Sequence, residues 1–254
     1  VPSLELGGKN PLVVLRDADL DLAVEGALWA SFGTAGQRCT SAGNVIVDRP
    51  IAAAFREKFA AAARGLTVGD PTRKPDVSYG PLINERFLRD WEKQRDQGLK
   101  DGAELLLDGR RLAGKDVPPG FVGEADKGLF VGPRIFDRVK MPMSIAQDEC
   151  FGPTINLVEV DGFDEALAAA NGTPYGLSSA IYTTNPLAML RFKEGIRAGM
   201  TSINNSTTGA EAHLPFGGNG WSGNGTRESG IWVLDAYTRW QAVNVDLAGK
   251  LQLA

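Results

Sequence analysis

The 254-residue sequence predicts an α/β fold: an open, mostly parallel sheet with helices on both faces. Short apolar runs of strand length alternate along the chain with longer segments of helical pattern. The strands read as nearly continuous apolar runs, as expected of strands that are buried on both faces of a sheet. The helices between them are long enough to connect parallel neighbours. No internal repeat or low-complexity segment argues for another class.

The strands are predicted as apolar runs bounded by turn residues. They cover residues 12–15, 44–48, 103–107, 129–131, 134–136, 155–160, 179–182, 201–204 and 240–246. The predicted helices cover residues 20–31, 50–65, 85–98, 163–171, 186–197 and 231–237. Asp19 is predicted to cap the first helix, and the polar, glycine- and proline-containing segment Asp108–Lys127 is expected to be an exposed excursion.

Composition narrows the class of protein. A net charge of −4 with interspersed signs predicts neither nucleic-acid binding nor attraction to an anionic membrane. No apolar run approaches the roughly 20 residues that cross a bilayer, and no signal peptide opens the chain. Two cysteines in a chain of this length predict free thiols in a reducing compartment, hence a cytoplasmic enzyme. No metal site is predicted.

The beginning of the chain reads as the middle of a protein. Val1 is not a methionine, and the alternating residues 3–6 run into the pair Gly7-Gly8 with no upstream partner. We therefore expect residues before Val1 to belong to the same protein. The alternative is a natural remnant that stands alone as an oligomerisation or interaction module without redox activity.

Four short segments concentrate residues that can carry chemistry. They are residues 4–9, 36–40, 148–153 and 215–218. Each has an ordinary interpretation when it is taken alone. Glu5 would be a turn carboxylate, Cys39 an inert thiol, Glu149 the end of a helical turn and Phe216 part of a tight loop.

Together the four segments resemble the aldehyde dehydrogenase superfamily over nearly the whole chain. Glu5 precedes Cys39 by 34 residues, and Glu149 follows Cys39 by 110 residues, which fits that family if the excursion is an insertion. Residues 215–230 match its last block. The resemblance implies the carboxy-terminal, catalytic half of an NAD(P)-dependent aldehyde dehydrogenase, closest in pattern to the branch that includes α-aminoadipic semialdehyde dehydrogenase (antiquitin).

The resemblance assigns the nucleophile to Cys39 and the general base to Glu5. A planar aldehyde cannot expel hydride until a nucleophile has added to its carbon, and a thiolate can make that addition. A thioester would then remain on Cys39, and a carboxylate with a raised pKa suits the activation of the water that hydrolyses it. The Cys39 N–H would be one oxyanion donor. The second, an asparagine, would lie upstream.

The cofactor implied by the resemblance is NAD or NADP, bound mainly by the part of the protein before Val1. Glu149 would accept hydrogen bonds from ribose hydroxyls, Phe151 would pack near the nicotinamide, and Gly7 would let the backbone approach the site. We therefore expect the chain by itself to bind nucleotide weakly and to show no turnover. Cys150 departs from the usual aliphatic residue and is interpreted as a small buried hydrophobe, with a second redox thiol as the alternative.

The predicted substrate is an aldehyde, and a distal carboxylate is favoured. In the resembling branch, the arginine beside the nucleophile and amides of a loop before Phe216 hold that carboxylate. The matching groups are Arg38 and the N–H groups of Gly209 and Ala210. In the alternative, Arg38 pairs with a neighbouring acid and never meets substrate.

Three further expectations complete the interpretation. Residues 1–8 would end the cofactor-binding domain, 9–228 would form the catalytic domain, and 229–254 a helix and an oligomerisation strand. That strand would make a homo-oligomer by pairing with another subunit. Lys9 is predicted to be structural. His213, which a cysteine hydrolase would need beside its nucleophile, is not predicted to be catalytic.

Overall fold

A computed structural model describes residues 2–250 of the chain. Its strands are β1 (Asn10–Val14), β2 (Ala42–Asp48), β3 (Glu104–Leu107), β4 (Arg134–Asp137), β5 (Thr154–Val160), β6 (Tyr175–Gly176), β7 (Ser178–Tyr182), β8 (Met200–Ile203) and β9 (Asn219–Gly220). Its α-helices are α1 (Leu20–Phe32), α2 (Arg49–Arg64), α3 (Glu85–Asp101), α4 (Ser144–Gln147), α5 (Gly162–Ala170), α6 (Pro186–Gly195) and α7 (Val233–Tyr237). Turns of 3₁₀ helix follow at Gly33–Gly36 and Ala125–Lys127.

Seven strands form one sheet in the order β3-β4-β5-β2-β1-β7-β8. All neighbours are parallel except β3 and β4, which pair in antiparallel fashion. The small strands β6 and β9 pair separately. The predicted α/β class with a mostly parallel sheet is therefore confirmed, and β1 and β2 lie at its centre.

Alternate residues of β1 face two separate cores. Leu12 and Val14 pack in a cluster with residues of α1 and α2, among them Phe55. Val13 packs in a second cluster with residues of α5 and α6, among them Phe192. Because side chains alternate across a strand, helices must cover both faces of this sheet, as predicted.

The helices begin and end at capping residues that can be recognised in the sequence. Asp19 caps α1, and its Oδ1 accepts hydrogen bonds from the N–H groups of Asp21 and Leu22, both at 3.1 Å. Gly65 caps α2, and Gly102 ends α3 in the left-handed conformation at φ 94°. These caps satisfy backbone groups that a helix end leaves without partners.

One predicted strand is wrong, and a second, which was expected to pair with another subunit, is not formed within the single chain. Residues 129–131 form only isolated bridges, because Leu129 pairs with Leu82 and Val131 with Arg111 of the excursion. That excursion is accordingly not wholly exposed, since Leu112 is buried within it. Residues 240–246 have no regular structure and are exposed. Their alternating pattern has no adjacent strand in the described part of the chain, and a single strand cannot satisfy its own backbone groups.

Two of the predicted segments, at the two ends of the chain, are only partly described by the structure. Val1 and residues 251–254 lie outside the described residues, so segments 1–8 and 229–254 are known only for 2–8 and 229–250. Leu6 donates its N–H to the Ser222 carbonyl at 3.0 Å, so the first segment runs beside the chain that follows β9. The proposed domain boundaries stay a prediction. Within residues 2–250, no helix is long and apolar enough to cross a membrane.

Candidate active site

Cys39 lies in the loop between α1 and β2, as the sequence predicted. The loop begins with three consecutive residues in the left-handed conformation, Thr34 (φ 54°), Ala35 (φ 57°) and Gly36 (φ 66°). A Cβ atom on Gly36 would lie 2.3 Å from the Gly152 carbonyl oxygen. This loop therefore packs directly on the backbone of the segment that carries Glu149, and only glycine fits at the contact.

Asn10, which the sequence analysis missed, fixes the other side of the loop. Its Nδ2 donates to the carbonyls of Cys39 (2.8 Å) and Ser41 (2.7 Å), and its Oδ1 accepts from the Ser178 N–H at 2.9 Å. Asn10 is only 1% exposed. Because both ends of this buried amide form hydrogen bonds, Asn10 fixes loop backbone that lies outside the strand pairing of the sheet. Its signal was a polar residue at the start of a buried strand.

Two more side chains anchor the loop to distant parts of the chain. Gln37 accepts from the Ile83 N–H at 2.9 Å and donates to the Pro81 carbonyl at 3.2 Å. Thr207 donates from its hydroxyl to the Thr40 carbonyl at 2.7 Å. The nucleophile loop is therefore held from both sides.

The Cys39 thiol is half-buried and its pKa is raised. Burial is the largest cause and the nearby Glu5 carboxylate is the second, while the N–H groups of Thr40 and Cys39 itself lower the pKa. The structure thus brings Glu5 and Cys39 into one electrostatic environment, although 34 residues separate them along the chain. The two amides that face the sulfur are also suited to stabilise negative charge that develops there.

The Glu5 carboxylate has no hydrogen-bond partner among the described residues, although both of its oxygens are shielded from solvent. Burial raises its pKa, the Glu228 carboxylate raises it further, and Arg227 lowers it. A Cβ atom on Gly217 would lie 3.0 Å from Glu5 Oε1, so the loop after Phe216 leaves room for the carboxylate. A carboxylate with a raised pKa and free lone pairs can accept a proton.

Glu149 lies against the glycine pair that follows Glu5. Its Oε1 accepts from the Gly8 N–H at 3.0 Å, and a Cβ atom on Gly7 would lie 2.1 Å from its Oε2. Burial raises the pKa of Glu149, whereas the Gly8 N–H and Lys9 lower it. Gly7 therefore keeps space for a carboxylate that retains one oxygen for another ligand. The Phe151 ring contacts the Phe87 ring in a tilted arrangement, with the centroids 5.4 Å apart.

Arg38, next to the nucleophile, makes no ion pair within the described part of the chain. Its guanidinium carbon lies 4.5 Å from the centroid of the Trp29 ring, on the last turn of α1. Because this contact uses no N–H donor of the guanidinium, those donors stay available to an anion.

The loop that contains Gly209 and Ala210 lies next to the nucleophile loop through the Thr207 hydrogen bond. The Ala210 N–H donates to the Thr208 carbonyl at 2.9 Å, so in this conformation the Gly209 N–H is the amide left for a ligand. Phe216 is half-buried and pairs with Glu228. These positions border the site without contacting Cys39 through a hydrogen bond.

Three other residues from the sequence analysis lie near or outside the site. Cys150 is partly buried, and burial raises its pKa to about 12. Lys9 is buried, and burial lowers its pKa to about 8, an effect that Cys150 and Glu149 partly offset. His213 is exposed, and no hydrogen bond of the described residues connects it with Cys39.

The electrostatic link between Glu5 and Cys39 gives a first prediction. In Glu5→Gln, the repulsion that raises the pKa of Cys39 is removed, so that pKa falls and more thiolate forms at a given alkaline pH. Iodoacetamide should therefore alkylate Cys39 faster in the variant, with the pH profile displaced to lower pH, as read by mass spectrometry of the labelled peptide. An unchanged or upward-displaced profile would contradict the shared environment. Glu57→Gln, on the exposed side of α2, is the control.

Comparisons with known proteins identify the family of the chain. Residues 2–243 match the Aldehyde dehydrogenase family. An alpha-ketoglutaric semialdehyde dehydrogenase of Bacillus subtilis (strain 168) is 39% identical over 242 residues, which are 95% of this chain and 48% of that protein. A benzaldehyde dehydrogenase of the same strain is 38% identical over 244 residues, 96% of this chain and 47% of that protein. The chain thus spans about half the length of these curated relatives.

Solved structures of aldehyde dehydrogenases have the same fold as this chain. A betaine aldehyde dehydrogenase of Staphylococcus aureus in complex with NAD+ superposes with a TM-score of 0.85 at 29% identity, over 92% of this chain and 44% of that one. A lactaldehyde dehydrogenase of Escherichia coli has a TM-score of 0.85 at 31% identity, over 95% and 48%. By the match of residues 2–243 to the family and its 39% identity to a curated relative, this chain belongs to the aldehyde dehydrogenase family.

Proposed function

We propose that the protein carrying this chain oxidises an aldehyde to a carboxylic acid, with Cys39 as nucleophile and Glu5 as general base. The observation that carries the proposal is the joint placement of these two groups. A half-buried thiol is held in a braced loop beside a carboxylate whose oxygens have no partner among residues 2–250. Neither group has another evident task in the fold.

The first step is addition of Cys39 to the aldehyde. The sulfur forms a bond to the carbonyl carbon, and the π electrons move to the oxygen, where the Cys39 N–H can donate to the developing charge. The thiol loses its proton to solvent before this step, and the N–H groups of Thr40 and Cys39 favour the thiolate. Because burial and Glu5 raise the pKa of Cys39, only a small fraction of the thiol is ionised near neutral pH.

A nicotinamide dinucleotide, NAD or NADP, would supply the acceptor for the hydride that leaves the carbon. The chain's own residues fit such a group: Glu149 keeps Oε2 beside the space that Gly7 leaves open, and Phe151 lies on an aromatic surface with Phe87. Glu149 would accept hydrogen bonds from ribose hydroxyls. The NAD+ complex of the related betaine aldehyde dehydrogenase supports a nicotinamide dinucleotide as the cofactor.

Hydrolysis of the Cys39 thioester completes the reaction. Glu5 takes a proton from water, the resulting hydroxide oxygen bonds to the acyl carbon, and the C–S bond breaks with its electrons returning to sulfur. The acid leaves and Cys39 is regenerated. A half-buried carboxylate with a raised pKa remains able to give its proton back to solvent.

We infer that the substrate carries a distal carboxylate. Arg38 is unpaired among the described residues, which argues against the alternative that it only neutralises a neighbouring acid. The Gly209 N–H is a second candidate donor, in a segment that Thr207 joins to the nucleophile loop. The semialdehyde in the name of the 39% identical relative supports this substrate class.

Trapping the acyl-enzyme tests the mechanism. In Glu5→Gln, loss of the base should slow hydrolysis by about 10²–10⁴-fold, so a thioester should accumulate on Cys39. After aldehyde and NAD+ are added to the full-length protein that carries this chain, intact-mass spectrometry would detect the acyl adduct and peptide mapping would locate it at Cys39. Glu57→Gln should turn over without accumulation. A Glu5→Gln variant with a normal steady-state rate and no adduct would refute the role of Glu5.

The exposed end of the chain supports a proposal about partners. Apolar side chains that alternate along residues 240–247 are largely exposed, with Trp240 at 90% and Leu247 at 92%. We propose that this segment pairs with another subunit to make a homo-oligomer, which would provide the neighbour that a strand needs. The free thiols Cys39 and Cys150 support a reducing compartment, the cytoplasm, as the place of action.

A further inference from the structure

The pair formed by Trp29 and Arg38 is a built arrangement, and nothing in the proposed reaction yet uses Trp29. The indole is 51% exposed although it belongs to a helix that packs on the sheet. The guanidinium carbon of Arg38 lies 4.5 Å from its ring centroid. A large aromatic side chain left in solvent beside a nucleophile is a candidate contact for a ligand.

The backbone holds the two side chains in this arrangement. Trp29 accepts a hydrogen bond at its carbonyl from the N–H of Gly33, which ends α1. A Cβ atom on Gly33 would lie 3.1 Å from Trp29 Cε3, so the indole packs closely on that glycine. The left-handed residues Thr34 and Ala35 then turn the chain back, which brings Arg38 over the ring.

A stacked guanidinium is restricted in a way that suits a carboxylate. The indole packs against the guanidinium and limits its movement, while the N–H donors at the guanidinium edge have no partner among residues 2–250. Within residues 2–250 no carboxylate pairs with that edge. A planar anion that approaches edge-on can take two parallel hydrogen bonds, and the orientation is already fixed before it binds.

We propose that Trp29 is a positioning residue: it orients Arg38 so that this guanidinium binds the distal carboxylate of the aldehyde while the aldehyde carbon reaches Cys39. The inference rests on the proposed function and adds a specificity determinant to it. The ligand class is a short aliphatic semialdehyde with a terminal carboxylate. Trp29 itself does not touch the reacting atoms.

The test compares two aldehydes that differ only in charge, glutaric semialdehyde and its methyl ester. In Trp29→Leu, we expect KM for the charged aldehyde to rise by about tenfold with kcat nearly unchanged, and KM for the ester to stay within about twofold. Trp29→Phe should restore most of the preference, because a phenyl ring also offers its face to the guanidinium. Steady-state rates of NADH formation, measured with the full-length protein that carries this chain, give kcat and KM for both aldehydes.

A matched control is available elsewhere in the chain. Arg191 lies over the Phe163 ring at the same 4.5 Å distance, between α5 and α6. Phe163→Leu removes a stack of equal geometry and should leave the preference for the charged aldehyde unchanged. This comparison separates loss of positioning from the general cost of losing an aromatic side chain.

Arg38→Ala separates the proposed role of Trp29 from the proposed substrate class. If it abolishes the preference for glutaric semialdehyde while Trp29→Leu leaves it intact, the carboxylate clamp stands and the role of Trp29 is overturned. A Trp29→Leu variant that raises KM equally for both aldehydes also overturns it, because the ring would then be an apolar contact. If Arg38→Ala leaves the preference unchanged, the substrate class itself is refuted, although aldehyde oxidation by Cys39 can still hold.

Discussion

Replacing Gly36 with alanine should lower the free energy of unfolding by about 3 kcal/mol and remove most of the reactivity of Cys39. The new Cβ would meet the Gly152 carbonyl oxygen at 2.3 Å, and it would also sit on a residue at φ 66°. The contact is with backbone, so no side chain can rotate away. Either the nucleophile loop or the segment that carries Glu149 must move.

Gly114 is a matched control for this substitution. It has a similar left-handed conformation at φ 53°, but a Cβ atom there would have nothing within 4 Å. Gly114→Ala should therefore cost only the conformational preference, about 1 kcal/mol. Urea unfolding followed by tryptophan fluorescence measures both. Equal losses in the two variants would show that the packing of the loop on Gly152 contributes nothing.

The second large effect is expected at the nucleophile. Cys39→Ala should reduce kcat by at least about 10³-fold, because no other group can form the covalent adduct that makes hydride departure possible. The fold should persist, since the thiol contacts only amides of its own loop and joins that loop to no other part of the chain. The braces of that loop come from Asn10, Gln37 and Thr207 instead.

Cys150→Ala provides the contrast within the same protein. Burial raises the pKa of Cys150 to about 12, so almost none of it is thiolate near neutral pH and it cannot replace Cys39. We expect kcat to change by less than about threefold in this variant, since Cys150 contacts apolar neighbours. Comparable losses of turnover in the two cysteine variants, with both folded by circular dichroism, would contradict the assignment of the nucleophile.

Much of the fold could be predicted because local signals and burial agreed. The apolar runs of β2, β5 and β7 are buried along nearly their full length. Asp19 caps the beginning of α1 and Gly65 caps the end of α2, as their residue types favour. Residues 129–131 looked equally like a strand. They pair with the excursion instead, a choice that depends on contacts between distant residues and is invisible in a local pattern.

The sequence predicted some residues of the candidate site and missed others. Cys39 and Glu149 were recognised from motifs, but the reasons for their positions were not. Asn10 is a single polar residue at a strand end, and nothing local shows that its amide would hold the carbonyls of Cys39 and Ser41. Trp29 looked like a core residue, and only the reversal of the chain after α1 shows it beside Arg38.

The unusual backbone at Thr34 and Ala35 has a consequence for attempts to transplant this nucleophile. Neither residue type favours a left-handed conformation, so the local sequence alone does not encode the shape of residues 33–41. That shape is imposed by hydrogen bonds and packing from β1, β7 and the neighbouring segments. A short peptide or a grafted loop with the same letters would relax to an ordinary turn and leave its cysteine an unremarkable thiol.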